Sequence, residues 1–135
     1  MRATRYAVAV ASAALVLAAS APAHAAVAAA VPGSFAAGFA TPVVVAAQGE
    51  GITFVNADPA PHNFVADGVY LSKKEAKKAR WCTSFSAKSC PLFWSPTVAA
   101  GETTEVEGLE RLETGQQYPF FCSLHPGMKG TLVVR

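Results

Sequence analysis

The sequence predicts an all-β fold, a Greek-key β-sandwich of about eight short strands with one short helix. Three observations lead there. Apolar runs rich in β-branched and aromatic residues recur along the chain. Gly, Pro, Asn and Asp punctuate them at short intervals, the pattern of a sandwich or Greek-key barrel. Only one stretch carries a helix-start signal.

Taken in order, residues 26–33 are Ala/Val-rich without other features and read as a flexible lead. Residues 34–39 are short and aromatic, a first strand-like pattern. Val43-Val44-Val45 is a β-branched run, and Gln48-Gly49-Glu50-Gly51 ends it as a turn. Residues 52–56 form the next strand, with Ile52, Phe54 and Asn56 on one face. Asn56-Ala57-Asp58-Pro59-Ala60-Pro61 is a loop dense in turn formers. Residues 62–65 read as a short strand closed by Asp67-Gly68. Ser72-Lys73-Lys74-Glu75 has the form of a capping box, which predicts a short exposed helix over 73–80. Residues 92–94 and 103–107 are further strand candidates. Residues 109–115 read as a loop or helical turn, and 118–122 and 129–134 as the last two strands.

The N-terminus reads as a secretory signal. Arg2 and Arg5 precede an uncharged apolar run over 6–19, and Ala23-His24-Ala25 has the small-x-small form of a cleavage site. The run is too short to span a bilayer. The domain organisation expected is therefore a signal peptide over 1–25, the lead over 26–33 and one domain over 34–135, exported to the periplasm, the cell wall or the extracellular space. Loss of the signal removes two of the 11 basic residues and none of the 9 acidic ones, leaving a neutral chain. A nucleic-acid partner would call for a basic excess, so that class is set aside. The charges are nonetheless segregated. Lys73, Lys74, Lys77, Lys78 and Arg80 form a basic cluster, and Glu102, Glu105, Glu107, Glu110 and Glu113 an acidic one. They read first as solvated faces; the alternative is a steering surface for a charged partner.

Metal-binding residue types are scarce outside the signal: His62, His125, Met128, Cys82, Cys90 and Cys122. Three cysteines in an exported chain leave one unpaired. Cys82 and Cys90 enclose seven residues and are expected to pair in an oxidising compartment. The stretch Tyr118-Pro119-Phe120-Phe121-Cys122-Ser123-Leu124-His125-Pro126-Gly127-Met128 places a thiolate, an imidazole and a thioether at Cys-x2-His-x2-Met spacing. Such donors suit copper cycling between Cu(I) and Cu(II), and two His, one Cys and a weak axial Met describe an electron-transfer copper site. His62, at the start of a separate strand, is the candidate for the second imidazole. Asn63 beside it is placed to hydrogen-bond across to Ser123 or its backbone and so orient the ligands. Zinc would accept the same donors, but it prefers four close ligands without a thioether. Cys-x-x-Cys-His is absent, which excludes covalent haem of the c type.

These two motifs, 56–63 and 121–130, resemble those of the plastocyanin/azurin family of small blue copper proteins, the cupredoxins. The two-residue gap between His125 and Met128 is similar to that of the amicyanin branch. The resemblance covers 34–135 and implies a sandwich holding one copper ion, with His62, Cys122 and His125 as equatorial ligands and Met128 as the axial one. It implies a one-electron carrier that is not an enzyme. His125 would present its ring edge at the surface, and Leu124, Pro126 and Gly127 would form a small docking patch for a transient protein redox partner. A monomer is expected. The alternative function is copper sequestration or delivery outside the cytoplasm. Multicopper catalysis would need further histidines. Residues 67–90, with the basic helix and the cysteine pair, depart from the pattern and read as an insertion.

Overall fold

The computed structural model describes residues 25–86 and 89–135. The signal expected over 1–25 lies outside the described residues, Ala25 excepted. Among the described residues seven strands follow in chain order: β1 (Ala26–Ala30), β2 (Val43–Ala46), β3 (Ile52–Asn56), β4 (Val65–Ala66), β5 (Thr103–Glu105), β6 (Gln117–Phe121) and β7 (Lys129–Val134). They form two sheets of order β1-β3-β5 and β2-β7-β6-β4. The β1–β3 and β2–β7 pairs are parallel, and the others are antiparallel. The fold is thus the two-layer β-sandwich that the apolar patterning predicts.

The strands alternate as their burial demands. Ile52, Phe54 and Asn56 of β3 point inward and Thr53 and Val55 are half-exposed. Between the sheets, Phe39, Phe54, Phe64, Phe93 and Phe120 form one aromatic cluster, joined by Val44 and Leu132. Phe64 and Phe120 stack with centroids 4.1 Å apart, and Phe39 meets Phe120 edge-on at 4.9 Å. The β6–β7 register sets Phe120 opposite Gly130. A β-carbon at Gly130 would overlap the Phe120 ring, so the glycine makes room for the aromatic beneath the ligand loop.

Several elements differ from the sequence expectation. The segment 26–33, expected to be a flexible lead, is mostly strand β1. Its small Ala28 and Ala30 methyl groups are fully buried, and its backbone pairs along β3, which outweighs the weak strand propensity of alanine. Residues 34–39, expected as a strand, begin with one helical turn, α1 (Ser34–Ala37). Gly33, at φ 89°, turns the chain there, and Gly38, at φ 98°, ends the turn. Residues 92–94 form only isolated bridges, Trp94 to Val65 and to Glu107. The expected strand over 62–65 reduces to β4 plus a bridge between His62 and Val98. The expected helix over 73–80 is α2 (Lys73–Ala76), with the capping box formed by Ser72 and Glu75, followed by a 3-10 turn (Arg80–Ser84).

Residues 67–90 carry their own small core. Leu71, Ala76, Ala79, Trp81, Cys82 and Cys90 cluster together, with Leu92 packing against both this core and the main one. Cys82 and Cys90 are disulfide-bonded, their Cα atoms 5.3 Å apart. Trp81 donates its indole N–H to the Pro91 carbonyl at 3.1 Å, and the Arg111 guanidinium lies 5.6 Å over the Trp81 ring. Among the described residues no helix is long and apolar enough to cross a membrane.

Candidate metal centre

Two loops at one end of the sandwich build the site. The first follows β3. Asn56, fully buried, donates to the carbonyls of Ala60 and Val98 at 2.9 Å each and accepts from the Asp58 amide at 3.0 Å. It thereby folds 56–60 into a fixed turn. His62 then pairs with Val98, through His62 N–H to Val98 O at 3.2 Å and Val98 N–H to His62 O at 2.8 Å. With its backbone held on both sides, the buried His62 ring has a set direction.

The second loop joins β6 to β7. The Cys122 amide donates to the Met128 carbonyl at 3.0 Å, the His125 amide to the Cys122 carbonyl at 3.4 Å, and the Met128 amide to the His125 carbonyl at 3.2 Å. Gly127, at φ 91°, supplies the reversal that the Pro-Gly pair announces. The β6–β7 ladder closes the loop from below, pairing Phe121 with Lys129. Cys122 and Met128 are each about 1% exposed and belong to the aromatic core.

The loops converge. Cys122 Sγ lies 3.7 Å from His62 Nδ1 and 3.6 Å from His125 Nδ1. The two imidazole centroids are 4.5 Å apart. All three donor atoms fall within 4.8 Å of one another. Metal–sulfur and metal–nitrogen bonds of about 2.3 and 2.0 Å, as at zinc, would place S and N donors of a trigonal site about 3.7 Å apart. The observed edges therefore suit a single ion between the three atoms. The third cysteine, Cys122, is left out of the disulfide and buried among these donors.

Hydrogen bonds brace the donors from outside. Asn63 Nδ2 donates to Ser123 Oγ at 2.7 Å, and Asn63 Oδ1 accepts the Ser123 amide at 2.8 Å. This side chain bolts the His62 strand to the Cys122 loop. His62 Nε2 faces Asp58 Oδ2 at 3.2 Å, both groups fully buried. The approach is bent, and His62 Nε2 is the one buried side-chain polar atom among the described residues without a well-formed hydrogen bond. Burial alone would raise the Asp58 pKa. The Ala60 amide, the His62 ring and the Ser34 amide oppose that, and hold it below the ordinary carboxylate value. His125 is half-buried, and its ring lies 6.4 Å from the exposed ring of Phe35 on α1. Leu124, Pro126 and Gly127 are exposed around it.

The four expected ligands, His62, Cys122, His125 and Met128, lie on these two loops, together with Asn63 and Ser123, whereas Cys82 and Cys90 lie apart in the disulfide. Asp58 and Phe35 were not legible in the sequence. Asp-Pro in a Pro-rich stretch reads as a turn former, and Phe35 sits in a segment patterned like a strand. The four-residue separation of Asp58 and His62 is the only sequence signal for their pairing.

A two-layer β-sandwich with a buried Cys, two converging imidazoles and an adjacent buried Met defines a class of small copper-binding protein. Residues 25–135 match the model of the family of copper binding proteins described as plastocyanin/azurin, and the chain belongs to that family. Among solved structures it is similar to a purple cupredoxin from Nitrosopumilus maritimus, with 22% identity, 82% of this chain and 99% of that one covered and a TM-score of 0.55. It is also similar to a reduced amicyanin variant, with 22% identity, coverage of 87% and 88% and a TM-score of 0.55. An oxidised amicyanin variant matches at 20% identity, with 82% of each chain covered and a TM-score of 0.54. No curated protein sequence matches the chain.

Proposed function

We propose that this protein is an exported one-electron carrier whose copper ion is held by His62, Cys122 and His125, with Met128 as axial ligand. The observation that carries the reading is the near-equal spacing of Cys122 Sγ from the two Nδ1 atoms, 3.6 and 3.7 Å, inside the family's fold. A copper ion bound there supplies a one-electron Cu(II)/Cu(I) couple.

The chain's own residues do the rest. The paired backbone of His62 and the hydrogen-bonded 122–128 loop hold the donors in place, so little rearrangement accompanies a change of charge. The apolar shell of Phe64, Phe120 and Met128 keeps water from the buried side. His62 is fully buried and His125 half-buried, so His125 is the ligand side chain through which an electron reaches the surface. Leu124, Pro126, Gly127 and Phe35 surround it with an apolar rim, suited to a transient protein partner of small interface. Four protein ligands would leave the ion no open position for a substrate, which supports a carrier rather than an enzyme. The Cys82–Cys90 disulfide supports a site of action outside the cytoplasm.

Cyclic voltammetry of the copper-loaded protein tests the role. A carrier gives a reversible one-electron wave with fast exchange. An irreversible wave, with copper passing readily to a competing chelator, would contradict it and favour copper sequestration or delivery.

A further inference from the structure

Asp58 has no cationic side chain beside it. Among the described residues every Lys or Arg ion pair involves another acid: Glu75, Glu107, Glu110 or Asp67. Yet its carboxylate is fully buried. Oδ1 accepts the Ala60 amide at 3.1 Å and Oδ2 accepts the Ser34 amide at 2.9 Å. The remaining neighbour is His62 Nε2, at 3.2 Å from Oδ2. A buried carboxylate is expensive unless a positive charge compensates it. The far nitrogen of the same imidazole, Nδ1, is the one that faces Cys122 Sγ.

We infer that Asp58 is the positioning and charge-compensating residue of the copper site, fixing the His62 proton on Nε2 and lowering the copper reduction potential. The inference rests on His62 being a ligand, as proposed above. As the acceptor facing that ring nitrogen, at 3.2 Å in a bent approach and with no other partner there, the carboxylate favours the N–H on Nε2, which turns the other nitrogen to the metal and makes the imidazole a stronger donor. Two amides from separate elements, the Ser34 turn and the 56–60 loop, keep the carboxylate from swinging away. A fixed negative charge next to a ligand ring stabilises the more highly charged Cu(II) state over Cu(I). Asp58 also ties α1 to the site, because Ser34, whose amide it holds, precedes Phe35 at the His125 ring.

The test has two parts. Nitrogen-detected NMR of the metal-free wild-type protein should place the His62 proton on Nε2; a proton on Nδ1 would overturn the inference, and this part needs no variant. Asp58→Asn removes the charge at nearly constant volume. It should raise the potential so that Cu(I) is favoured at least tenfold more than in wild type, about 59 mV for a one-electron couple. A folded, copper-binding Asp58→Asn protein with a smaller change, or one of opposite sign, would show a merely structural role and overturn the proposal. Failure of wild type to bind copper through Cys122 would instead refute the ligand assignment, and the copper absorption of wild type reads that separately.

Discussion

At the residue scale, the site depends on side chains whose chemistry and placement agree. The sulfur of Cys122 is brought to both imidazoles by backbone hydrogen bonds within one seven-residue loop, so its position is fixed by elements that need no metal. As the proposed axial ligand, Met128 would tune the site without building it, because an axial ligand governs the potential more than the binding. Met128→Leu should retain copper and raise the potential; an unchanged potential in voltammetry would show that the thioether is not axial. Asn63 makes both of the hydrogen bonds that join the two loops at Ser123. Asn63→Ala should destabilise the protein by about 1–3 kcal/mol, from two lost hydrogen bonds of ordinary strength, and weaken copper retention. Thermal unfolding with and without copper would measure both. The proposed ligand residues stand out in the sequence because His, Met and Cys are so few in it and fall at ligand spacing. Asp58 does not, because a carboxylate next to proline carries the same local signal whether it caps a turn or faces a buried ring.

At the scale of elements, the β-ladders and the 67–90 segment answer to different forces. The strands with strong patterns, β2, β3, β6 and β7, form as their alternation and β-branching indicate. The misread elements are those where a tertiary partner decides. Alanines with little strand preference become β1 because β3 offers an edge, and Phe35 enters a helical turn because Gly33 redirects the chain. Residues 92–94 have a strand's composition but only single bridges to pair with. In that segment, closing the eight-residue separation between Cys82 and Cys90 contributes about 2.5 kcal/mol in the chain-entropy model. Replacing both cysteines by serine should lower stability by up to that amount and leave the copper spectrum unchanged, since their cluster is separate from that of Cys122. A changed spectrum would show that the 67–90 segment shapes the site. Glu75 closes the capping box of α2, and the Ser72 hydroxyl and amide hold its pKa below the ordinary 4.5. Its folded value lies below its unfolded one, so its stabilisation is complete above about pH 4.5 and is lost as the pH falls through the folded value. Hydrogen-exchange protection of the Ala76 and Ala79 amides should therefore be flat at neutral pH and fall in acid, and Glu75→Gln should flatten the acid limb.

At the scale of the whole molecule, one aromatic core carries both sheets and reaches the metal centre from below. Phe64 follows His62 and Asn63 in the chain, Phe120 precedes Cys122 by two residues, and the two rings stack. Core packing and ligand placement are therefore one structural problem. The clustered charges are surface features: the α2 lysines are exposed, and Arg80 and Arg111 reach toward Glu107, Glu75 and Glu110. The fold class was legible because burial alternates with period two, and the metal centre because its donor types are rare. The most direct measurement of the central claim is the visible and EPR spectrum of the protein loaded with Cu(II), recorded beside that of Cys122→Ser. An intense thiolate-to-copper absorption in wild type, lost in the variant, is the expected result. A wild-type spectrum with only the weak absorption of copper bound by nitrogen and oxygen donors, or one the substitution leaves intact, would contradict it.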